Sequence, residues 1–497
     1  MCRPELARIV AEEAPARLLE LEEWGADFDK TPDGRFVQKL SDGARFPRAA
    51  GKGTETGPAI LRALLNRIRQ LNSDKRYGEV ELLERVTIAD IVVSRGRAAG
   101  AWGWHLPDGE QLFIAAGAVV LACGGAGRIF RVNVFPPTAT GDGYALALRA
   151  GAPLVNMEFI QIGPSIIHPF HFALSGVFWR LTPRIVNAQG ETFLSRYLPP
   201  GTRLEEALLL KAVSYPFTVR NASMWIDVGV FTEIAEGRGT SHFGVYMDVS
   251  HNPAELIERE AAVPLAHLRK RGLDIASGPF EFAPAVQHFN GGVAIDADGA
   301  TEVAGLFACG ENAGGQHGAD RPGGNSLADC QVFGRRAGAA AAKFAARSAP
   351  DLREVREAAL PSASPPLPKA HELMQRLSWE MWRGVTVVRT AEGLHRAISA
   401  ALELRDVLAP HSRVSPEAAE LANSALVAEV VARAALAREE SRGTHYRADI
   451  KAANDPQWQR QLFWRFDGQK LVCESGPIIE PPPEFPDVGS RLETTLQ

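Results

Sequence analysis

The sequence is poor in cysteine, in excess charge of one sign and in long apolar runs, and each shortage excludes a class of protein. Its 497 residues include five cysteines, none in a Cys-x-x-Cys pair, which argues against a cysteine-held zinc or iron–sulfur centre. A formal net charge of −5 argues against a large nucleic-acid-binding surface. No apolar run reaches the roughly 18 residues of a membrane helix. We therefore expect a cytoplasmic protein with no metal centre, no nucleic-acid partner and no direct membrane insertion.

Apolar periodicity in the first third of the chain predicts an α/β fold. Helical spacing runs through 5–24 and 56–72, and Pro-Asp-Gly at 107–109 is typical of a hairpin turn between strands. The apolar run 112–123 predicts one buried strand that ends at a Gly-Gly turn, and a helix is expected to begin near Asp142. This recurrence of strand, glycine-rich turn and helix is typical of an α/β domain.

Shifts in composition divide the chain into segments with different expected folds. An aromatic- and proline-rich stretch without a β-α-β rhythm interrupts the α/β pattern, which later resumes and is followed by a proline-rich linker, a helical region and a tail. The predicted boundaries are 1–152 for the first part of the α/β domain, 153–283 for an inserted domain, 284–347 for the second part, 348–370 for the linker, 371–447 for the helical domain and 448–497 for the tail.

The strongest chemical signal lies between Gly305 and Gly338. A buried strand ends at Glu311, a carboxylate suited to holding sugar or ribityl hydroxyls, and a glycine-dense loop then leads to a helix that begins near Ser326. Glycines let a planar group approach the backbone, and a helix N-terminus offers free N–H groups and a partial positive charge. The alternative is a loop that only caps the helix, through Asn325 or Ser326.

Motifs along nearly the whole chain resemble those of the fumarate reductase, succinate dehydrogenase and L-aspartate oxidase flavoproteins. The segment 310–338 is similar to the family pattern GE…HGAxRxGGNSL…VFGRxAG, and VVLACGGAGRIF, TGDGYALALRAGA, MEFIQ and HFNGGV occur in the family's order. The resemblance implies FAD as the cofactor. It also implies a Rossmann-like α/β FAD-binding domain with an inserted α+β capping domain and a C-terminal helical domain.

The same resemblance implies which residues contact the cofactor. The expected contacts are Gly124, Gly125, Asp142, Glu311, Gly324, Asn325, Ser326 and Leu327. For Asp142, an ordinary helix N-cap is the alternative.

Four side chains are expected to act in catalysis, which in the family is hydride transfer between flavin and a C–C or C–N bond beside a carboxylate. Arg321 matches the arginine that binds the substrate carboxylate, a group that a guanidinium fits bidentately. His288 matches a second substrate ligand, Arg220 matches a proton-shuttling arginine, and Arg180 remains from a carboxylate–arginine relay. The alternatives are a surface salt bridge for Arg321, a core histidine for His288 and a structural role for Arg220.

Several positions depart from the family pattern. Gly163 stands where the family has a substrate-binding histidine, with His168 and His171 nearby as candidate replacements. Both acids of the relay are missing, which should disrupt proton delivery. Phe178 and Trp179 occupy that stretch and favour apolar contact with a bulkier or less charged substrate. Ordinary fumarate or succinate turnover is therefore not expected.

The Gly-x-Gly-x-x-Gly turn that opens the family's FAD domain does not occur in this sequence. We expect the chain to be N-terminally truncated relative to the family, through a misplaced start; the alternative is a natural fragment. It should bind FAD weakly or not at all as it stands, because a missing central strand removes core burial. The leading hypothesis is an FAD-dependent oxidoreductase acting on a small carboxylate, and its candidate partner is an iron–sulfur electron-transfer subunit. The alternatives are L-aspartate oxidase-like amine oxidation and a non-catalytic protein that keeps the fold.

Overall fold

The computed structural model describes residues 1–44, 46–74, 76, 78–358, 370–411 and 414–478. The helices are α1 (Pro4–Glu23), α2 (Thr56–Ser73), α3 (Asp142–Ala150), α4 (Val177–Arg180), α5 (Leu204–Val213), α6 (Met224–Ala235), α7 (Ala254–Lys270), α8 (Asn325–Ala345), α9 (Leu352–Ala358), α10 (Ala370–Val385), α11 (Ala391–Leu408), α12 (Pro416–Ala437) and α13 (Asp455–Trp458). The strands are β1 (Val86–Ser94), β2 (Arg97–His105), β3 (Gln111–Ala115), β4 (Val119–Leu121), β5 (Leu154–Val155), β6 (Ile160–His168), β7 (Phe172–Ala173), β8 (Arg184–Val186), β9 (Val245–Asp248), β10 (Phe280–Phe289), β11 (Gly292–Ala294), β12 (Leu306–Ala308), β13 (Ala313–Gly314), β14 (Arg460–Phe466) and β15 (Leu471–Pro477).

The first third of the chain forms the predicted α/β elements. The helices α1 and α2 coincide with the expected helical segments, and β1, β2 and β3 form an antiparallel sheet with the predicted hairpin turn between β2 and β3. The single strand predicted at 112–123 is wrong, because this stretch divides into β3 and β4, which belong to different sheets. Gly117 permits the bend between them, since a Cβ at that position would lie 2.7 Å from the Ser348 carbonyl oxygen.

A parallel pair of strands leads into the glycine-rich segments. Strand β4 pairs with β12 in parallel, with Val119 opposite Leu306. Parallel strands end at the same edge of a sheet, so the Gly-Gly turn after β4 and the loop after β12 lie side by side. Helix α8 packs against both strands and against α1. The fold thus brings together two segments that are nearly 200 residues apart in the sequence, as the α/β prediction requires.

A second, five-stranded sheet in the order β7-β6-β10-β9-β8 forms the inserted region, and its neighbouring strands are antiparallel. Helices α4 to α7 belong to the same stretch of chain. The long strand β10 runs without a break through the predicted boundary at 283–284 and ends at Phe289. This strand carries the chain from the inserted region back to the α/β region.

The C-terminal helical domain is confirmed by α10, α11 and α12, which pack against one another. Thr390 and Ser415 cap α11 and α12, each accepting a hydrogen bond from the backbone N–H three residues later. None of the helices in the described ranges combines the length and apolar character needed to cross a bilayer.

Two predictions about the end of the chain need correction. The tail expected at 448–497 is wrong for 460–477, where β14 and β15 form a hairpin that joins β5 in the sheet β13-β11-β5-β14-β15. The linker expected at 348–370 includes the helix α9, whose Val355 is fully buried beside Trp102. The proline-rich stretches at 359–369 and 479–497 lie outside the described residues.

Candidate active site

The loop before α8 forms an open helix N-terminus. Gly324 is the N-cap residue with φ of 83°, a left-handed conformation that favours glycine, and no side chain in the described part of the chain caps the first turn. The alternative in which Asn325 or Ser326 caps the helix is therefore wrong. Asn325 instead accepts a hydrogen bond from Arg48 at 3.1 Å, and Leu327 is 41% exposed. The first turn of a 21-residue helix thus keeps N–H groups available for an acceptor group.

Glu311 connects this loop to the Gly-Gly turn. Its Oε1 accepts a hydrogen bond from the Phe289 N–H at 2.9 Å, and burial raises the pKa of the carboxyl to about 7. A Cβ on Gly125 would lie 2.2 Å from that oxygen, so position 125 must be glycine for the two segments to meet. Gly124 has φ of 75° and open space where a side chain would project. An open backbone surface therefore adjoins a buried carboxylate.

Arg321 is a largely buried guanidinium without a full set of partners. It donates to the side-chain oxygen of Gln161 and, through Nη1, to the Pro322 carbonyl at 3.0 Å. Its buried Nε has no hydrogen-bond partner among the described residues, and burial lowers its pKa. These uncharged partners contradict the surface salt bridge considered from the sequence. A cation held in this way has a strong need for an anion.

His288 lies at the end of β10 close to this cation. Its Nδ1 lies 3.3 Å from the Asn290 side-chain oxygen, and its buried Nε2 has no partner in the ranges that the structure describes. Its ring centroid is 5.3 Å from that of His317. Burial, followed by the charge of Arg321, holds its pKa well below the usual value, so His288 is a neutral hydrogen-bonding group. Its partner is a side-chain amide, which contradicts the alternative of a core histidine bonded to backbone.

Arg220 and Arg321 line the same cleft. Its lining also includes the acids Asp42 and Asp320. Arg220 Nε lies 3.3 Å from Asp320 Oδ2, and the Arg220 side chain is 66% exposed. Burial raises the pKa of both acids. The cleft thus combines a buried guanidinium, an exposed guanidinium and two carboxylates that bind protons more readily than ordinary aspartates.

The predicted catalytic residue Arg180 does not join this group. It is exposed at the end of α4, whose Trp179 packs on Phe282, with ring centroids 6.1 Å apart. Phe282 lies six residues before His288 on β10, which is about 20 Å along an extended strand. Phe178 and Trp179 are fully buried, so the expected apolar contact with substrate is replaced by core packing.

The position of the missing family histidine is filled by a side-chain amide. A Cβ on Gly163 would lie 2.4 Å from Gln287 Nε2. That nitrogen donates to the Tyr215 hydroxyl at 2.7 Å, and the hydroxyl donates to the Pro164 carbonyl at 2.7 Å. His168 lies at the far end of β6 and does not replace the histidine. Sequence motifs did not reveal Gln287 or Tyr215, because their proximity depends on pairing between β6 and β10.

Asp142 is engaged with its surroundings at the start of α3. Its Oδ2 accepts from the Thr140 hydroxyl at 2.5 Å and its Oδ1 from the Asn423 amide at 2.6 Å. The N-cap of α3 is Gly141, so the N-cap alternative for Asp142 is wrong. The Asn423 contact ties α3 to α12, a role that the sequence did not indicate.

An ion pair near the cleft was also missed by the sequence analysis. Lys211 and Asp227 are fully buried and in direct contact. Burial lowers the pKa of Lys211 and raises that of Asp227, and the Lys211 charge acts on Asp42 and Asp320. Hydrophobic spacing around Lys211 predicts only a helix. The inward orientation of the Lys211 side chain is seen only in the folded structure.

Comparisons with known proteins agree with this geometry. A family model described as an FAD binding domain matches residues 1–327, and a model described as fumarate reductase flavoprotein C-term matches residues 374–479. The CoM/CoB fumarate reductase of Methanothermobacter marburgensis has a subunit that is 36% identical over 484 residues, covering 93% of this chain and 83% of that protein. The L-aspartate oxidase of Streptomyces coelicolor is 32% identical and covers 98% of this chain and 82% of that protein. The solved structure of Mycobacterium smegmatis Sdh1 in complex with UQ1 has a TM-score of 0.81 at 32% identity, covering 97% of this chain and 82% of that one.

Proposed function

We propose a substrate class on the premise that the chain belongs to the fumarate reductase, succinate dehydrogenase and L-aspartate oxidase flavoprotein family and is an FAD-dependent oxidoreductase. The substrate is a small molecule with one carboxylate beside the reacting C–C or C–N bond and a neutral hydrogen-bonding group at its other end. The proposal is carried by two features together. The hydrogen-bond partners of Arg321 are uncharged, and the Gln287 amide lies beside Gly163, where the family has a substrate-binding histidine.

The residues around the open loop fit FAD. Gly124 and the first turn of α8 present uncovered backbone, and several nearby buried polar atoms lack partners within the described ranges. These atoms are Asn290 Nδ2, Asn312 Nδ2, Gln316 Oε1 and Asp329 Oδ1. We assign cofactor contacts to Gly124, Gly125, Glu311 and the stretch 324–327, with Asp142 at the margin. Bound FAD supplies the two-electron transfer with the substrate.

Arg321 binds the substrate carboxylate. A guanidinium offers a planar fork of donors that a carboxylate accepts bidentately. The hydrogen bonds of Arg321 to described residues go to an amide and a backbone carbonyl, and its Nε is left without a partner among them, so the guanidinium keeps a donor for a carboxylate. The neutral His288 donates or accepts at Nε2, the atom that its described neighbours leave free, and fixes the orientation of the bound group.

Arg220 and Asp320 are assigned to proton handling at the cleft. Asp320 Oδ2 lies 3.3 Å from Arg220 Nε and accepts from the Thr218 hydroxyl at 2.8 Å. Its raised pKa favours proton uptake nearer neutral pH than an exposed aspartate allows. This pair takes the place of the relay around Arg180, whose acids are missing from the sequence.

Gln287 and Tyr215 select against a second carboxylate. The amide and the phenol are both neutral, and burial raises the pKa of Tyr215. An ionised second carboxylate placed against them would lose water without gaining a cation, which is unfavourable in a buried site. A primary amide or hydroxyl can instead exchange hydrogen bonds with both.

The proposal is tested with the full chain loaded with excess FAD and reduced anaerobically. Reoxidation of the flavin absorbance is followed after mixing with fumarate, its monoamide fumaramate, or the monocarboxylate crotonate. We expect fumaramate to reoxidise the flavin at least tenfold faster than fumarate. Equal or faster reaction with fumarate would overturn the proposed selectivity, and reaction that survives unchanged in Arg321→Lys would overturn the assigned carboxylate site.

Amine oxidation beside a carboxylate is the second candidate reaction. It is favoured by the L-aspartate oxidase that matches 98% of this chain at 32% identity. The same neutral pocket predicts that L-asparagine bleaches the oxidised flavin faster than L-aspartate does. Bleaching by neither amino acid, together with rapid reaction of fumaramate, would leave C–C bond chemistry as the function.

An electron-transfer partner is also part of the proposal. The Methanothermobacter marburgensis relative is named as one subunit of its fumarate reductase, which indicates that it works within an assembly. We infer that this chain exchanges electrons with an iron–sulfur subunit, because the chain itself has no closely spaced cysteines in its sequence. Co-purification of an iron-containing protein with the tagged chain tests this inference.

A further inference from the structure

Three side chains gather at the end of the inserted sheet that is remote from His288. His168 ends β6, Glu281 lies near the start of β10, and the two are direct partners in the strand ladder. His242 precedes β9, in the turn after α6. One candidate ligand atom from each residue lies within 4.8 Å of the others. Glu281 and His288 are seven residues apart on β10, about 23 Å along the strand, so this group is separate from the candidate active site.

The group is held in place by its neighbours. The imidazole rings of His168 and His242 stack with centroids 3.8 Å apart and planes within 3°. His242 Nδ1 lies 3.0 Å and 3.1 Å from the two oxygens of Glu281. The Thr240 hydroxyl donates to Glu281 Oε2 at 2.5 Å and so orients the carboxylate.

The turn that carries His242 packs closely onto the sheet. The Thr240 N–H donates to the Gly244 carbonyl at 2.7 Å, and the Phe243 N–H donates to the Thr240 carbonyl at 3.0 Å. A Cβ on Gly244 would lie 2.7 Å from Ile167 Cδ1. The position of His242 is therefore fixed by backbone contacts as well as by its own side chain.

We propose that His168, His242 and Glu281 form a binding site for a zinc-type divalent cation that clamps the 240–244 turn to the ends of β6 and β10. Two imidazoles and one carboxylate are a ligand set used for Zn²⁺, with water completing the coordination. The hydroxyl of Thr240 acts on a ligand carboxylate in the way that outer partners support metal sites. The site departs from the sequence expectation of no metal centre, because its ligands come from three distant segments and share no motif.

The open side of the site keeps it accessible to an ion. The His242 side chain is 45% exposed and the Glu281 side chain 12% exposed. Ion binding requires the stacked rings of His168 and His242 to tilt apart, because a metal lies near the plane of each imidazole that binds it. It also replaces the bond between His242 and Glu281 with bonds from both residues to the metal. The expected effect of the ion is to stabilise the inserted sheet, without contact with the cleft around Arg321.

The test is zinc titration of the full chain by calorimetry after treatment with EDTA and dialysis. We expect one zinc site that is weakened at least tenfold in each of His168→Gln, His242→Gln and Glu281→Gln. The matched control is His105→Gln, because His105 is another exposed histidine beside a carboxylate, with Nδ1 2.6 Å from Asp108 Oδ2. Zinc affinity should be unchanged in this control.

A second measurement does not depend on the folding of the variants. Co²⁺ added to the wild-type chain should give the intense visible absorption of four- or five-coordinate cobalt, and zinc should displace it. Absence of zinc binding, binding that persists in His168→Gln and His242→Gln, or a cobalt spectrum like that of the hydrated ion would each overturn the site. Because no flavin or substrate takes part, failure here is distinct from failure of the proposed function.

Discussion

Two arginines, the fully buried Arg438 and the partly buried Arg321, show opposite ways of holding a positive charge in this protein. Arg438 is fully buried, with Nε 2.6 Å from Glu158 Oε1 and Nη1 3.0 Å from Glu440 Oε1, and it also donates to two backbone carbonyls. Arg321 has an amide and a carbonyl as partners, and its Nε is unpartnered among the residues described. The comparison teaches that a buried cation hydrogen-bonded to its own carboxylates serves the fold, whereas one whose hydrogen bonds go to neutral groups keeps donors for an anion from outside.

The comparison is tested most strongly by replacing Arg438, the arginine that is paired with buried carboxylates. Arg438→Met leaves the buried Glu158 without its ion-pair partner, whereas Glu440 keeps its contact with Arg442. Loss of one member of a buried pair costs about 3–5 kcal/mol. Because Glu158 precedes β6 and Arg438 follows α12, the loss should loosen the contact between these segments. The free energy of unfolding in urea measures the effect.

The matched variant is Arg321→Met, which removes a cation whose described partners are uncharged. Its removal relieves desolvation but also takes a positive charge away from Asp42, Asp320 and Glu311, so we expect the free energy of unfolding to fall by less than it does in Arg438→Met. An equal loss in the free energy of unfolding for Arg438→Met and Arg321→Met would contradict the distinction between the two arginines.

The second prediction concerns Arg321 in turnover. Arg321→Lys keeps the positive charge but loses the planar fork, and we expect the turnover of the best carboxylate substrate to fall by about 10²–10³-fold, equivalent to about 2.7–4 kcal/mol. Steady-state kinetics with the FAD-loaded chain measure this loss. The control is Arg203→Lys, at an arginine that is 71% exposed on the inserted region, which should leave turnover unchanged. A similar loss in both variants would show a general effect of the substitution.

The sequence predicted the backbone of the loop before α8 more fully than it predicted the side chains of the cleft beside that loop. The motif from Gly310 to Gly338 and the Gly-Gly turn are local signals, so the start of α8 and the open backbone beside it could be predicted from them. Parallel pairing of β4 with β12 then joined the two segments. These features depend on short glycine-rich stretches, and few backbone structures are compatible with such stretches.

The residues that sequence reasoning missed depend on cross-strand contacts. Gln287 meets Gly163 only because β6 and β10 pair in one register, and His168 lies opposite Glu281 for the same reason. Arg180 was assigned by its place in a motif, but the core packing of Trp179 directs α4 away from the cleft. Contacts between segments that are distant in the sequence, which short motifs do not reveal, decided each case.

The third prediction uses Glu311, a buried acid on the Arg321 side of the comparison. The pKa of its carboxyl rises from the ordinary 4.5 to about 7, so the folded chain holds this proton more tightly than the unfolded chain. Between these pH values the contribution of Glu311 to stability is greatest at low pH and is lost as the pH rises. Glu311→Gln should remove about 1–3 kcal/mol of that dependence.

Thermal unfolding of the two proteins across the interval from the ordinary pKa of 4.5 to about 7, without added FAD, measures this difference. The stability of Glu311→Gln relative to the wild type should increase steadily across that range. A difference that stays constant with pH would mean that Glu311 has an ordinary pKa, and a decrease would reverse the sign of the argument.

The smallest expected change in stability comes from Arg220, the exposed arginine at the same cleft. Its contact with Asp320 is largely solvated, with the Arg220 side chain 66% exposed, and such pairs contribute about 0–1 kcal/mol. Arg220→Gln should therefore leave the unfolding curve nearly unchanged. If the arginine holds a proton with Asp320 during turnover, the variant should lower kcat more than it raises KM and should shift the pH profile of kcat, whereas a purely structural arginine would change neither. An unchanged pH profile would remove Arg220 from the proton path and leave Arg321 as the cation that defines the cleft.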